Sequence, residues 1–304
     1  MDHTQNNKFA YQALLYIITA GTNMHVGSGE ESYGLVDNRV QRDVLNNLPN
    51  INASGLKGAF REHFERKKGK ESQEIIDIFG SDSFSKTEAS GQHQAGKFRF
   101  FNGNLLSLPV RSDVRPFFRA TSVEVLQELI DNLDTFSYKD TYRFRECLER
   151  LSGLKVKEGE PLLLTGDKEA LLEDYNLKAK SDENRKLDLE HLEMLERLMG
   201  KNIVLLHNSD FTDICSDYNL PLIARNKLEN GRSVNLWHEQ VVPRESKFYF
   251  FVLKPGGSNH DLEFTKGEPV QIGANASIGY GFCRVEEVSS IVKAAMNKEQ
   301  ESGS

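Results

Sequence analysis

Between His25 and Asp43 the chain reads "HVGSGEESYGLVDNRVQRD". Among its residues are an imidazole (His25), the two aspartates of the stretch (Asp37, Asp43), the carboxamide of Gln41 and the guanidinium of Arg42, in what reads as one loop. Such a set suits a phosphodiester whose own neighbouring 2′-hydroxyl is the nucleophile. Cleavage then needs the strand held in line, a group to move a proton, and stabilisation of charge on the phosphorane. A single carboxylate, Asp37, can serve there as base or as ligand to a divalent ion. His25 is a second candidate for proton transfer, and Gln41 and Arg42 are candidates for holding the strand. Each has a plainer alternative: a loop aspartate closes an Asx-turn, and a histidine holds structure through its hydrogen bonds.

Two further stretches offer contact to phosphates. Ser54, Lys57 and Arg61 fall on one face of a predicted helix, whose N-terminus presents free N–H groups and a positive dipole end to an anion. The small residues Ala53-Ser54-Gly55 would let a sugar-phosphate backbone come close, and Ser54 reads as the N-cap. Near the C-terminus, "QIGANASIGYGF" sets Gly273, Asn275, Gly279, Tyr280 and Gly281 together. Glycines let backbone amides reach phosphates, and an aromatic ring stacks on a base. This is not a P-loop, because Tyr280 follows Gly279 where that motif has lysine. The plain alternatives are a solvated basic helix face and a Gly-rich hairpin turn.

Positioning these groups takes a layered scaffold. "KFAYQALLYIITA" and "SKFYFFVLKP" are continuous apolar runs rich in aromatic and β-branched residues and read as buried strands. Leu56, Ala59, Phe60 and Phe64 form the apolar stripe of a packed helix. "TSVEVLQELIDNLDTF" is a second amphipathic helix, capped by Thr121 or Ser122. Asn102-Gly103, between two apolar arms, predicts a β-hairpin. Residues 139–235 read as an inserted lobe with a charged helix around Glu183 to Met199, and residues 296–304 as a disordered tail. The order predicts an α+β, ferredoxin-like core, with residues 1–138 and 236–295 as core in a single 304-residue domain.

Composition limits the partners. The net charge of −7 opposes indiscriminate nucleic-acid coating. Yet six Lys or Arg stand against two Glu between Lys57 and Lys70, which gives a basic face on an acidic body. Cys147, Cys215 and Cys283 show no CxxC spacing and read as small buried hydrophobes. No apolar run is long enough for a membrane span and the N-terminus lacks signal-peptide character, so no membrane partner and a cytoplasmic location are expected.

Taken together and in order, "HVGSGEESYGLVDNRVQRDVLNNLPNINASGLKGAFRE", "IFGSD", "LLSLPVRS", "LWHEQVVPRESKFYFFV" and "VQIGANASIGYGFCRV" resemble the RAMP-superfamily backbone subunit of type III-B (Cmr) CRISPR effector complexes. The resemblance implies an RRM-like core, several copies stacked along a guide RNA with other subunits of the complex, and endoribonuclease cleavage of the paired target RNA at regular intervals. That cleavage would be dependent on a divalent metal, Mg2+ or Mn2+. It places the cleaving, metal-binding carboxylate on Asp37 and guide contact on Ser54, Lys57, Arg61 and the loop from Gly273 to Gly281. It also implies a protruding hairpin, or thumb, that interrupts the guide–target duplex; residues 220–237, with Arg225, Lys227, Arg232 and Trp237, have the length for it. The related type III-A (Csm) backbone subunit, a non-cleaving structural RNA-binding subunit and a guide-processing ribonuclease stand as alternatives. Asp37 in a complete loop block counts against the last.

Overall fold

The computed structural model describes residues 11–29, 36–70, 72–81, 94–139, 142–164, 167–173, 177–182, 187–264 and 267–292. The first apolar run forms β1 (Tyr11–Ala20), buried from Leu14 onward. The second forms β12 (Lys247–Pro255), which pairs antiparallel with β1 from Tyr11↔Pro255 to Thr19↔Lys247. β14 (Phe282–Glu287) flanks β1 on its other edge, and β4 (Gly103–Val110) flanks β12. The order β14-β1-β12-β4 is fourth, first, third, second in chain order, as the ferredoxin-like reading expects. Helices α1 (Ala53–Lys68) and α2 (Gln73–Phe79) lie in the connection from β1 to β4.

Leu56, Phe60 and Phe64 are the buried stripe of α1. Phe60 meets Phe250 of β12 at 5.2 Å between ring centroids, and Tyr16 of β1 stacks on the same ring at 5.2 Å. The other face of β12 carries Phe251, packed on Phe136 at 4.6 Å just beyond α3 (Val123–Thr135). Ser122 caps that helix, its Oγ accepting the Val125 N–H at 3.3 Å.

The sheet does not stop at the core. β5 (Phe118–Ser122) pairs with β4 and runs parallel to β9 (Ile203–Leu206), which continues through β6 (Leu162–Leu163), β8 (Leu177–Lys180) and β7 (Glu169–Leu172). α4 (Tyr142–Ser152) and α5 (Leu189–Met199) belong to this part, so the inserted lobe extends the core sheet. The hairpin of β10 (Leu222–Glu229) and β11 (Arg232–Gln240) forms a two-stranded sheet of its own. All three cysteines are free and buried. Among the described residues no helix is long and apolar enough to cross a membrane.

Two local expectations fail. Asn102-Gly103 does not close a hairpin. β3 (Arg99–Phe100) and β4 lie along the same edge of β12, with Leu253↔Arg99, Val252↔Phe100, Tyr249↔Asn104 and Phe248↔Leu105, as one strand interrupted at 101–102. The interruption frees the Asn102 side chain, whose Oδ1 accepts the N–H of Ala53 at 2.9 Å and so caps α1 from a distant part of the chain. Ser54 is therefore not the N-cap: it lies inside the helix, and Asn52 holds the cap position without a side-chain bond. The tail 296–304 and the first residues of "KFAYQ" fall outside the described residues.

Candidate functional site

The protruding hairpin turns at Asn230-Gly231, where both residues have positive φ (50° and 76°), the geometry of a two-residue hairpin turn. Beside its root runs the loop carrying Asp37. The backbone N–H groups of Asp37 and Asn38 donate to the His238 carbonyl at 3.1 and 3.2 Å, and Gln240 N–H donates to Asn38 O at 2.9 Å. Asp37 Oδ2 accepts the backbone N–H of His238 at 2.7 Å. The carboxylate is thus fixed to β11 while its side chain stays 49% exposed. The His238 imidazole Nδ1 lies 4.0 Å from the same oxygen.

The donor set bears on the metal. Among the described residues no group of three or more His, Cys, Asp or Glu side chains could hold an ion. One exposed carboxylate is the protein share of a Mg2+-type site that waters and a substrate phosphate complete. Asp37 fits that role, and does not fit a resident ion caged by protein alone.

His25 sits beneath this surface, 5% exposed. Its Nδ1 is 2.7 Å from the Gln240 carbonyl, and its Nε2 lies 3.7 Å from Glu239 Oε1. The ring therefore braces the hairpin root. Gln41 and Arg42 are also turned to internal work. Gln41 Oε1 accepts the Asn52 N–H at 3.0 Å, tying the loop to the start of α1. Arg42 is 11% exposed at the side chain, with Nε on Asp217 Oδ1 at 2.8 Å and one Nη on the carbonyls of Asn47 and Cys215 at 2.7 Å each. These bonds turn Gln41 Oε1 and most of the Arg42 guanidinium to partners inside the protein.

On α1 the basic residues divide. Arg61 pairs with Glu65 at 2.6 Å, Lys68 with Glu74 at 2.5 Å, Arg66 with Glu62 and Lys67 with Glu268. Lys57 has no carboxylate partner among the described residues; partial burial and then the nearby Arg61 lower its pKa. A cation so placed gains from an incoming anion. Ser54 is exposed next to it. A Cβ added at Gly55 or Gly58 would meet nothing within 4 Å, so neither glycine is required by the packing of this chain.

The Gly-rich loop lies between β13 (Val270–Gln271) and β14. Gly273, Gly279 and Gly281 all have positive φ. A Cβ would strike the His25 carbonyl at Gly273 and the Ile272 carbonyl at Gly281, whereas Gly279 faces open space. Many loop amides are bonded internally: Ala274 to His25 O at 2.8 Å, Tyr280 to Asn275 O at 3.2 Å and Gly281 to Asn23 O at 2.9 Å. Gly273 and Gly281 thus shape the loop around the His25 segment and Ile272, and Gly279 leaves an open surface. Asn275 and Tyr280 turn toward the hairpin root, where Arg225 stands over the Tyr280 ring at 5.3 Å.

Of the expected thumb residues, Lys227 and Arg232 are exposed on the outer hairpin, whereas Arg225 is bound at the root and Trp237 is half-buried there. Val234 and Leu236, the latter 59% exposed, are exposed apolar residues on the strand that leads to His238. These two, with His238 and Glu239, escaped the sequence reading. The Asn230-Gly231 dipeptide was the available signal for the turn.

A family model described as the RAMP superfamily matches residues 17–284. Among curated proteins, the CRISPR system Cmr endoribonuclease Cmr4 of Pyrococcus furiosus is 27% identical over 296 residues, covering 91% of this chain and 95% of that protein. The CRISPR system CMR subunit Cmr4 of Saccharolobus solfataricus is 23% identical over 306 residues, 88% and 93% of the two chains. A chain in the structure of the type III-B Cmr-beta complex bound to cognate target RNA superposes with a TM-score of 0.75 at 22% identity, over 93% of this chain and 99% of that one. Oligomeric Cmr4 from Pyrococcus furiosus gives 0.63 at 19% identity, over 91% and 98%. With the model matching most of its length, this chain belongs to the RAMP superfamily.

Proposed function

We propose that this protein is the multi-copy backbone subunit of a type III-B CRISPR effector complex in the cytoplasm, where it grips guide RNA and cleaves the complementary target RNA at regular intervals. The observation that carries the reading is the exposed Asp37 carboxylate locked to the root of a protruding hairpin. A hairpin that parts the duplex and a carboxylate fixed to its base together cut at a set distance from the parted step. The endoribonuclease and complex-bound relatives named above support the same reading.

Lys57 and the open surface of Ser54, Gly55 and Gly58 take the guide backbone, with Arg61 adding charge after exchanging Glu65 for a phosphate. Gly279 gives the second point of approach. Val234 and Leu236 face the target as the apolar wedge, flanked by Lys227 and Arg232. Asp37 orients the target 2′-hydroxyl or receives its proton, and His25 keeps the hairpin root in place. A divalent ion, Mg2+ or Mn2+, would be held by Asp37 with the target phosphate, and when bound supplies charge neutralisation at that phosphate.

The test is to assemble the protein on a defined guide and present an end-labelled complementary RNA. Cuts at a constant spacing, with 2′,3′-cyclic phosphate ends or their hydrolysed form and none in a target carrying 2′-deoxy sugars at the cut sites, are expected. An assembled complex that binds the target and leaves it whole would overturn the cleavage half of the reading.

A further inference from the structure

We propose that Arg225 is a positioning residue: it fixes the angle of the hairpin against the Gly-rich loop, and thereby decides which phosphodiester of a bound target reaches Asp37. The inference rests on the reading above, in which hairpin and loop contact target and guide.

The observations are a closed triangle of side chains. Arg225 Nε lies 2.8 Å from Glu239 Oε2, Asn275 Nδ2 donates to Glu239 Oε1 at 2.9 Å, and Arg225 Nη1 donates to Asn275 Oδ1 at 3.2 Å. Arg225 comes from β10, Glu239 from β11 and Asn275 from the loop, so the triangle joins both hairpin strands to a third element. The guanidinium suits the task because its rigid planar fork reaches two partners at once, and its face lies over Tyr280. Asn275 sits at φ 68°, a left-handed conformation that asparagine tolerates better than most residues. The triangle is enclosed: Glu239 is 3% exposed, and a buried carboxylate is stable only when paired.

The hairpin needs such a tie. Two strands alone have little stability of their own, and among the described residues β10 and β11 pair with no strand of the main sheet. Its direction is therefore set at the root, by the Asp37–Asn38 backbone on one side, by His25 and Asp217 on Gln240 beneath, and by Arg225, Glu239 and Asn275 on the other. Breaking the Arg225 tie removes the restraint on the Gly-rich-loop side and lets the hairpin swing while Asp37 remains attached to it. The carboxylate then travels with the wedge relative to the guide held by the loop, and the cut moves.

The experiment compares complexes carrying wild-type protein, Arg225→Ala, Arg225→Lys and Asn275→Gly, assembled on one guide, with each cut mapped to the nucleotide. Asn275→Gly keeps the left-handed backbone and the Arg225–Glu239 pair, so it tests the tie even where Arg225→Ala does not fold. The expected result is cutting at the wild-type phosphates, normalised to the guide each complex retains, reduced on the order of tenfold to a hundredfold, with new cuts at neighbouring phosphates. Arg225→Lys, which keeps the charge and loses the fork, should be intermediate. A merely structural role would lower the rate at unchanged positions, so an assembled Asn275→Gly complex that cuts only at wild-type positions overturns the proposal. Absence of cutting by the wild-type complex would instead count against the proposed function.

Discussion

Asp37 and His238 are 201 residues apart in sequence, yet the aspartate carboxylate accepts the histidine backbone N–H at 2.7 Å. That bond makes the candidate cleaving group part of the hairpin root. The loop and the hairpin root are thereby one hydrogen-bonded unit.

Gly55 and Gly58 occupy exposed helix positions where a methyl group meets no atom of this chain. Replacing each by alanine should stabilise the fold by about 0.5–1 kcal/mol, because glycine is costly inside a helix. The same changes should weaken guide binding, because the sugar-phosphate backbone loses its close approach. Melting temperature and filter binding measured on the same variants should move in opposite senses. Stabilisation with unchanged RNA affinity would remove the backbone path from this helix.

Among the described residues Lys57 has no carboxylate partner, whereas Arg61 must first leave Glu65. Lys57→Ala should therefore lower guide affinity more than Arg61→Ala, and should reduce the slope of log affinity against log salt by about 1. Binding titrations at several salt concentrations give both quantities. Equal small effects would show that the helix face is only solvated.

Asp77, in α2, ties that helix to residues outside it. Its carboxylate pairs with Lys97 at 2.9 Å and takes bonds from Gln73 at 3.0 Å and Gln94 at 3.2 Å, with His260 at 3.2 Å. The hydrogen bond from Lys97, then those from Gln73 and His260, hold its pKa down at about 2, below the ordinary 3.8. A depressed carboxylate pKa adds stability that is present above the ordinary value and is lost as pH falls through the folded value. Wild type should thus lose more stability than Asp77→Asn between about pH 4 and pH 2, read by denaturant titration across that window.

Val234 and Leu236 are exposed, so converting both to alanine should leave thermal stability within about 0.5 kcal/mol. Guide binding should be unchanged, while regular target cutting falls about tenfold because the apolar wedge that unstacks a step is gone. Unchanged cutting would move the wedge elsewhere on the hairpin.

The two long apolar runs are legible as strands because a buried strand needs little beyond continuous apolar, β-branched or aromatic residues, and α3 is legible from its stripe and its Ser122 cap. Asn102-Gly103 misleads because its asparagine is committed to a helix 49 residues away, a tertiary bond that no local pattern records. Asp37 is legible as a candidate from its loop and the family resemblance, but its partner is not, since a backbone N–H is identical at every residue. Gln41 and Arg42 carry the right chemistry for RNA and are bound inside the fold, because what a polar side chain contacts depends on neighbours distant in sequence such as Asp217.

The decisive measurement is the fate of an end-labelled target RNA bound by complexes assembled with Asp37→Ala, set beside wild type with and without a chelator of divalent ions. In the proposed function Asp37 acts on the target phosphodiester and not on the guide, so the variant should assemble and hold its target as wild type does, yet leave it uncut. Chelation should silence wild type in the same way, and added Mg2+ or Mn2+ should restore cutting in wild type alone. An assembled Asp37→Ala complex that cuts the target at the wild-type rate would contradict the assignment and leave a structural RNA-binding subunit in its place.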